Sequence, residues 1–430
     1  MQKNKYLPYF NLFSLFDTKR TRDIFQINPT LPVERKEAEN LVIEVFDYTS
    51  EILEHQSISD IKVCTPYKNN GHITWINIDG IRKTDVEAIC SDYNIHYLIA
   101  EDILSVGQRP KMDEIDNILF CLLNMLYFNE KTGDVEQEQI SIVLTKDTVI
   151  SFQEDANRDV FNSLREKLKI KNSKLRQSSA DYLCYAMLDM IVDHYFIVME
   201  KLGEKIELLE EKIIRNSNKR TLAEINDLRK ELIVLKRNVA PVRDLINGFI
   251  RSDSQLIDIK TNKYFKDVHD HILQANEFAE NYRDMMMNLQ DLYLSNVNLK
   301  MNEVMKVMTI VTCLLAPATV IGGIFGMNFE VIPIAHQAYG FYMAIGLMLI
   351  FPLLMVYFFK HASLYFFTIL IILCFVTSLS ELIEYSKQTS HFKSDAFLIC
   401  LKMTLFKTPI NIQKLLPYAT FFGSMISLIR

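Results

Sequence analysis

Residues 291–328 read DLYLSNVNLKMNEVMKVMTIVTCLLAPATVIGGIFGMN, and the spacing of their polar and small members decides the architecture. Asp291, Ser295, Asn298, Asn302, Met305, Thr309, Thr312, Ala316, Thr319, Gly323 and Gly326 recur at alternating intervals of four and three residues. A repeat of about 3.5 residues holds one face of a helix against an axis shared with neighbouring helices. The remaining surface is Val, Ile, Leu and Met, which suits lipid from about residue 304 onward. The stripe fits a helix dimer seam, since small residues let membrane helices approach and threonines bond across them. It also fits a ring of helices around a narrow pore lined with hydroxyls, small side chains and a Met constriction. Asp291 and Asn302 favour the ring, because they lie on the stripe just outside the apolar part and a seam needs no carboxylate at its mouth.

Gly326, Met327 and Asn328 close the helix, and Phe329 and Glu330 follow in a short loop before the next apolar run. The tripeptide alone occurs by chance; its place at the end of a pore-lining helix gives it weight. Mg2+ dehydrates reluctantly and keeps its waters, so a ring of neutral amide oxygens can grip the hydrated ion without stripping or trapping it.

Downstream, 304–325, 341–359 and 362–379 are each apolar enough to cross a hydrocarbon core of about 30 Å, and 415–429 begins a fourth such run. Upstream, a helical pattern starts near Tyr264 and meets no Pro or Gly until Pro317. Roughly 60 helical residues would be about 90 Å long, a stalk that enters the membrane. Before it, from Ser179 to about Ile250, lie two long helical patterns split at 216–220. Between about 58 and 155, strand-like runs at 60–67, 72–79, 117–128, 139–144 and 148–153 alternate with helical stretches, including 84–93; a further helix is expected at 159–169. The expected domains are therefore an α+β unit at 1–178, a helical stalk at 179–303 and a two-helix transmembrane pore region at 304–360, with 361–430 beyond it.

A net charge of -6, with both signs interspersed, gives no reason to expect nucleic acid and leaves a cation or the lipid bilayer as the natural partner. The seven cysteines lack any CxxC pair and read as buried reduced thiols. The run at 6–16 is interrupted by Pro8, Asn11 and Ser14 and is not a secretory signal, so the N-terminal domain is expected in the cytoplasm. Asp267, His269, Asp270 and His271 suggest a transition-metal site only weakly, since helical neighbours point in different directions. No nucleophile and base pairing, phosphate loop or dinucleotide fingerprint argues for an enzyme.

With these features in hand, residues 40–360 resemble the CorA magnesium and cobalt transport family. The likeness rests on the run from Asn302 to Val307, Pro317, Gly326 Met327 Asn328 and the Tyr339 Gly340 pair. It extends upstream through Tyr264 to Val268, Asp291 to Leu294, Glu101 to Leu104 and Gln108 to Lys111. The resemblance implies a homopentamer with an α+β cytoplasmic funnel, five stalk helices continuing as the pore, and a second helix ring outside. It places Gly326, Met327 and Asn328 in a selectivity filter. Asn302, Met305, Thr309, Thr312, Ala316, Thr319 and Gly323 then line the pore, with Asp291 at its cytoplasmic end. Asp102 and Asp267 resemble the acidic pair that holds a regulatory Mg2+ between subunits. The implied activity is passive uptake of Mg2+, with Co2+ or Ni2+, across the inner membrane, limited by cytoplasmic Mg2+. The alternatives are a zinc transporter of the same superfamily, or a non-conducting scaffold or fusion product. Two departures stand out: Glu330 is the lone outer-loop carboxylate where many relatives carry a second acid, and no basic tail follows the second span.

The last 70 residues do not resemble that family. Phe375 to Tyr385 and Pro409 to Pro417 resemble the first two membrane segments of the LptF/LptG lipopolysaccharide-export permeases, which suggests a truncated permease start joined near Lys360.

Overall fold

The computed structural model describes residues 35, 37, 38, 40–155, 158–327 and 339–361, with side chains as far as 357. It divides into two compact units, Met1–Asn302 and Glu303–Arg430.

The first unit is built on one seven-stranded sheet. Its strands are β1 (Val42–Tyr48), β2 (Leu53–Ile58), β3 (Ile73–Asp79), β4 (Lys111–Ile115), β5 (Ile118–Asn129), β6 (Asp134–Leu144) and β7 (Thr148–Gln153). They lie in the order β2-β1-β3-β7-β6-β5-β4. Only β3 and β7 run parallel, with Trp75 beside Val149 and Asn77 beside Ser151. Helices cover both faces, so the central strands are apolar on both sides, and alternation sends successive side chains of β5 to opposite layers. Leu119, Cys121 and Leu123 join the core that also contains Trp75 and Phe161. Phe120 and Leu122 join the other core, under α1 (Lys83–Asp92) and α2 (Tyr97–Leu104).

Over the first face lie α3 (Asn162–Lys169), the long pair α4 (Ala180–Arg215) and α5 (Lys219–Arg251), and the start of α6 (Ile259–Phe325). Polar ties fix this layer to the sheet. Asn124 donates to Asn238 Oδ1 at 2.7 Å, Asn238 donates to Gln137 at 3.0 Å, and the Val135 N–H donates to Glu231 at 2.6 Å. Asp258 caps α6 by accepting from the Lys260 N–H, and its own N–H donates to Asp181 at the start of α4. The α4 and α5 helices match the two expected patterns, and α6 carries helix through Pro317 as far as Phe325.

The expected strand at 60–67 is instead a 3-10 helix, Ile61–Tyr67. Asp60 caps it by accepting from the Lys62 N–H, Pro66 lacks the donor a central strand needs, and the buried residues Ile61 and Cys64 are three apart, not two. Four short elements, β1, β2, α2 and β4, were not anticipated, and the first half of β6 is hidden by its polar run Glu136 to Gln139. Cys64, Cys90, Cys121 and Cys184 are buried free thiols as expected, whereas Cys313 is partly exposed on α6; Cys374 and Cys400 lie outside the described residues.

Glu138 on β6 is buried, and one of its oxygens accepts both the Glu154 and Asp155 N–H groups at 2.9 Å. Burial pushes its carboxyl up to about 7, against those bonds and one from Tyr127. The folded value lies above the unfolded one, so the contribution of this group to stability is intact below about pH 4 and is lost as pH rises through about 7. Glu138→Gln keeps the acceptor oxygen. It should stabilise the domain by about 2–3 kcal/mol at pH 7 and flatten its pH dependence across that window. Trp75, the only tryptophan and fully buried, reports the unfolding midpoint by fluorescence in the full chain.

In the second unit, the end of α6 and α7 (Gly340–His361) are largely exposed. Three described helices are long and apolar enough to cross a membrane: α4, α6 and α7. For α4 the apolar window is more than half buried inside the domain, which marks it as core; the window of α6 has none of its residues buried. The candidate spans at 362–379 and 415–429, and both permease-like segments, lie outside the described residues.

Candidate pore-lining and ion-binding sites

Two stripes with the same 3.5-residue repeat run along α6. Phe265, Val268, Ile272, Ala275, Ala279, Met286 and Leu289 are buried against the domain. The same spacing continues through Tyr293, Asn296 and Lys300, which hold the turn between α4 and α5. Asn296 donates to the Ile213 carbonyl at 2.6 Å, Lys300 to Asn216 Oδ1 at 3.2 Å, and the Tyr293 hydroxyl to the Asn218 carbonyl at 3.3 Å. These donors meet oxygens at the end of α4 and in the turn that follows it, where the last helical carbonyls lack intrahelical partners.

About 150° around the helix by its repeat lies the second stripe, where Asp291, Asn302, Met305, Thr309, Thr312, Ala316, Thr319, Gly323 and Gly326 are all exposed. The hydroxyls of Thr309, Thr312 and Thr319 donate back to the carbonyls of Met305, Met308 and Leu315 at 2.8–2.9 Å. With its proton committed to the helix, each hydroxyl turns only acceptor lone pairs outward, as a hydrated cation requires. Gly323 has nothing within 4 Å of where a Cβ would stand, whereas a Cβ on neighbouring Gly322 would meet the Met348 methyl of α7 at 3.4 Å. The off-stripe glycine thus packs the two spans, and the stripe glycine does not. Met327 is half exposed at the end of the helix. Asn328 and Glu330 lie outside the described residues.

Asp102 and Asp267 stand in different settings. Asp102, near the end of α2, is neutralised within its own chain: its Oδ2 lies 2.6 Å from Lys111 Nζ, which also lies 3.2 Å from Asp113. Gln139 fixes that helix end by donating to the Asp102 and Ile103 carbonyls. Asp267 is exposed on α6, and its charge reaches Tyr185 and Asp189 of α4.

There the structure assembles a cluster of which the sequence reading names only His271, as part of a weak transition-metal candidate with its own helical neighbours, and not Asp189 or Asp193. Donor atoms of Asp189, Asp193 and His271 lie within 4.8 Å of one another. His271 Nδ1 is buried without a hydrogen bond, 3.9 Å from Asp193. Burial first, then the Asp193 charge, raises the Asp189 carboxyl, opposed by His271 and by a bond from the Tyr185 hydroxyl, with Asp267 adding to the rise. The excess of negative charge and the orphaned ring nitrogen fit a divalent cation. Asp189 and Asp193 are four apart on α4, Asp267 and His271 four apart on α6; that double i,i+4 pattern was the available signal.

A helical membrane protein with a large α+β domain, its carboxylate clusters in that domain and a hydroxyl stripe along its exposed span, is the class these features define. The CorA-like Mg2+ transporter family model matches residues 70–361. A cobalt/magnesium transport protein CorA of Thermotoga maritima is 37% identical over 332 residues, 77% of this chain and 94% of that protein. Another, from Methanocaldococcus jannaschii, is 24% identical over 60% of this chain and 81% of that one. The complete structure of CorA from Methanocaldococcus jannaschii shares the fold with a TM-score of 0.62 at 21% identity, covering 75% of this chain and 98% of that one. The chain belongs to the CorA-like Mg2+ transporter family.

Proposed function

We propose that this chain is a passive divalent-cation channel, driven by the membrane potential, that takes up Mg2+ and also Co2+ or Ni2+ across the cell inner membrane. It acts as a homopentamer with its N-terminal domain in the cytoplasm and performs no enzymatic chemistry. The carrying observation is the unbroken, exposed stripe whose back-bonded threonines offer acceptors alone. Five copies around one axis would line a path along which a hydrated ion exchanges hydrogen bonds from its own waters, without losing them. Asn328, with Gly326 and Met327, selects at the outer end, and Glu330 draws cations to the mouth.

Cytoplasmic Mg2+ limits its own entry. Asp102 of one copy and Asp267 of the next, joined by Asp189, Asp193 and His271, hold the ion between subunits; without it these carboxylates repel and the ring relaxes into conducting states. The imidazole of His271 supports a second reading, in which the preferred ion is zinc or another borderline metal, since Mg2+ favours oxygen ligands. The segment from 361 onward we take as an appended, permease-like piece that conduction does not need.

Influx into proteoliposomes under an inside-negative potential tests the channel. The full chain should carry Mg2+, Asn328→Ala should abolish the flux, and a chain ending at His361 should retain it. No flux from the full or the shortened chain would leave a non-conducting scaffold or fusion product as the better account, and preference for Zn2+ in mixed-ion assays would favour the second reading.

A further inference from the structure

Asp102 already has a cation. Lys111 Nζ lies 2.6 Å from its Oδ2, on a side chain anchored in strand β4 and only one-third exposed. Asp113, two residues along the same strand and so on the same side of it, holds the other flank of the ammonium at 3.2 Å. Burial alone would lower the Lys111 pKa, but the bonds and charges of Asp102 and Asp113 outweigh it and keep the ammonium above its usual value. Lys111 is therefore charged at any physiological pH. The Asp102 side chain is itself mostly buried, and its helix end is pinned through Gln139, so it cannot swing away from this partner at little cost.

Resting on the sensor reading above, we propose that Lys111 is a built-in competitor for the regulatory site: a tethered ammonium that occupies Asp102 in the absence of Mg2+ and must be displaced for the ion to bridge the subunits. The affinity seen from outside is then the intrinsic affinity scaled by the fraction of Asp102 that is free of Lys111. A tethered partner acts at high effective concentration, so that fraction is small and the sensor responds only to abundant Mg2+. Asp113 moderates the competition by sharing the ammonium. The device also limits repulsion in the ion-free state, since the Asp102, Asp113 and Lys111 trio carries one net negative charge, not two.

The two flanking changes should act in opposite directions. Lys111→Met keeps the apolar stem and removes the competitor, so half-inhibition of influx by internal Mg2+ should move to roughly 3- to 10-fold lower concentration. Asp113→Asn leaves the ammonium to Asp102 alone and should move it to higher concentration. Lys111→Arg, which keeps the charge, should not mimic Lys111→Met. The full chain in proteoliposomes gives the flux reading, and Mg2+ protection against a protease in detergent gives an independent binding midpoint. Trp75 fluorescence verifies that each variant is folded. An unchanged or raised midpoint for Lys111→Met, with the wild type still Mg2+-inhibited and Asp102→Asn desensitised, overturns the competitor and spares the sensor. A wild type that internal Mg2+ neither inhibits nor protects overturns both.

Discussion

Gly323→Leu should cut Mg2+ influx by at least about tenfold while leaving expression, oligomer size and the Trp75 unfolding midpoint unchanged. Within one chain the first carbon of the new side chain meets no obstacle, because nothing lies within 4 Å of the Gly323 Cβ position. Leu is also the better helix former by nearly 1 kcal/mol, so the span itself gains nothing but order. All of its bulk is therefore directed at whatever the stripe faces. If that is an ion path one or two waters wide, a ring of isobutyl groups closes it and excludes water, as hydrophobic constrictions do. If the stripe were a close-packed seam between two helices, the same change would drive the backbones apart and the oligomer would dissociate. Flux lost with assembly intact supports the pore; dissociation on size-exclusion chromatography supports the seam. Gly322→Ala is the control, since its Cβ meets only the Met348 methyl at 3.4 Å and should conduct normally.

The stripe was legible in the sequence because a membrane helix has few polar residues, and eleven positions in strict alternation stand out against Val, Ile and Leu. The same repeat in the first part of α6, from Phe265 to Lys300, does not stand out in the sequence. Its members change from apolar to Tyr, Asn and Lys where the helix passes from the domain core to the α4–α5 turn. The sheet was half legible. β3, β5 and β7 are buried on both sides and read as apolar runs, whereas β2 and β4 are edge strands with polar faces, and Leu53–Ile58 reads as LEHQSI. The family likeness marked Asp102 and Asp267, but no pattern of local residues reveals that Lys111 turns back onto Asp102, since that contact depends on β4 pairing beside β5. Nor does a single-helix view reveal that Asp267 and His271 face Asp189 and Asp193, because those pairs come from helices about 80 residues apart in the chain.

That cluster gives the second large expectation. Asp189→Asn together with Asp193→Asn should raise the Mg2+ concentration for half-inhibition by roughly tenfold or more, since affinity for a hard cation follows the count of charged oxygen ligands. Both amides keep the size and helix placement of the acids, and Asp189 is relieved of a carboxylate that burial and Asp193 disfavour, so the folded domain should be at least as stable. Loss of Mg2+ sensitivity with an unchanged or higher Trp75 midpoint would thus be a ligand effect. His271→Gln separates the ions. An imidazole nitrogen is a strong ligand for Co2+, Ni2+ or Zn2+ and a poor one for Mg2+, so the variant should lose protection by Co2+ while keeping most of its protection by Mg2+. Equal losses for both ions would mean that His271 acts on the carboxylates through its charge or packing against Phe196, not as a ligand. If the double variant kept full Mg2+ sensitivity, the cytoplasmic sensor would have to rest on Asp102 and Asp267 alone. The negative charge gathered between α4 and α6 would then be a fixed local cost in stability, without a role in gating.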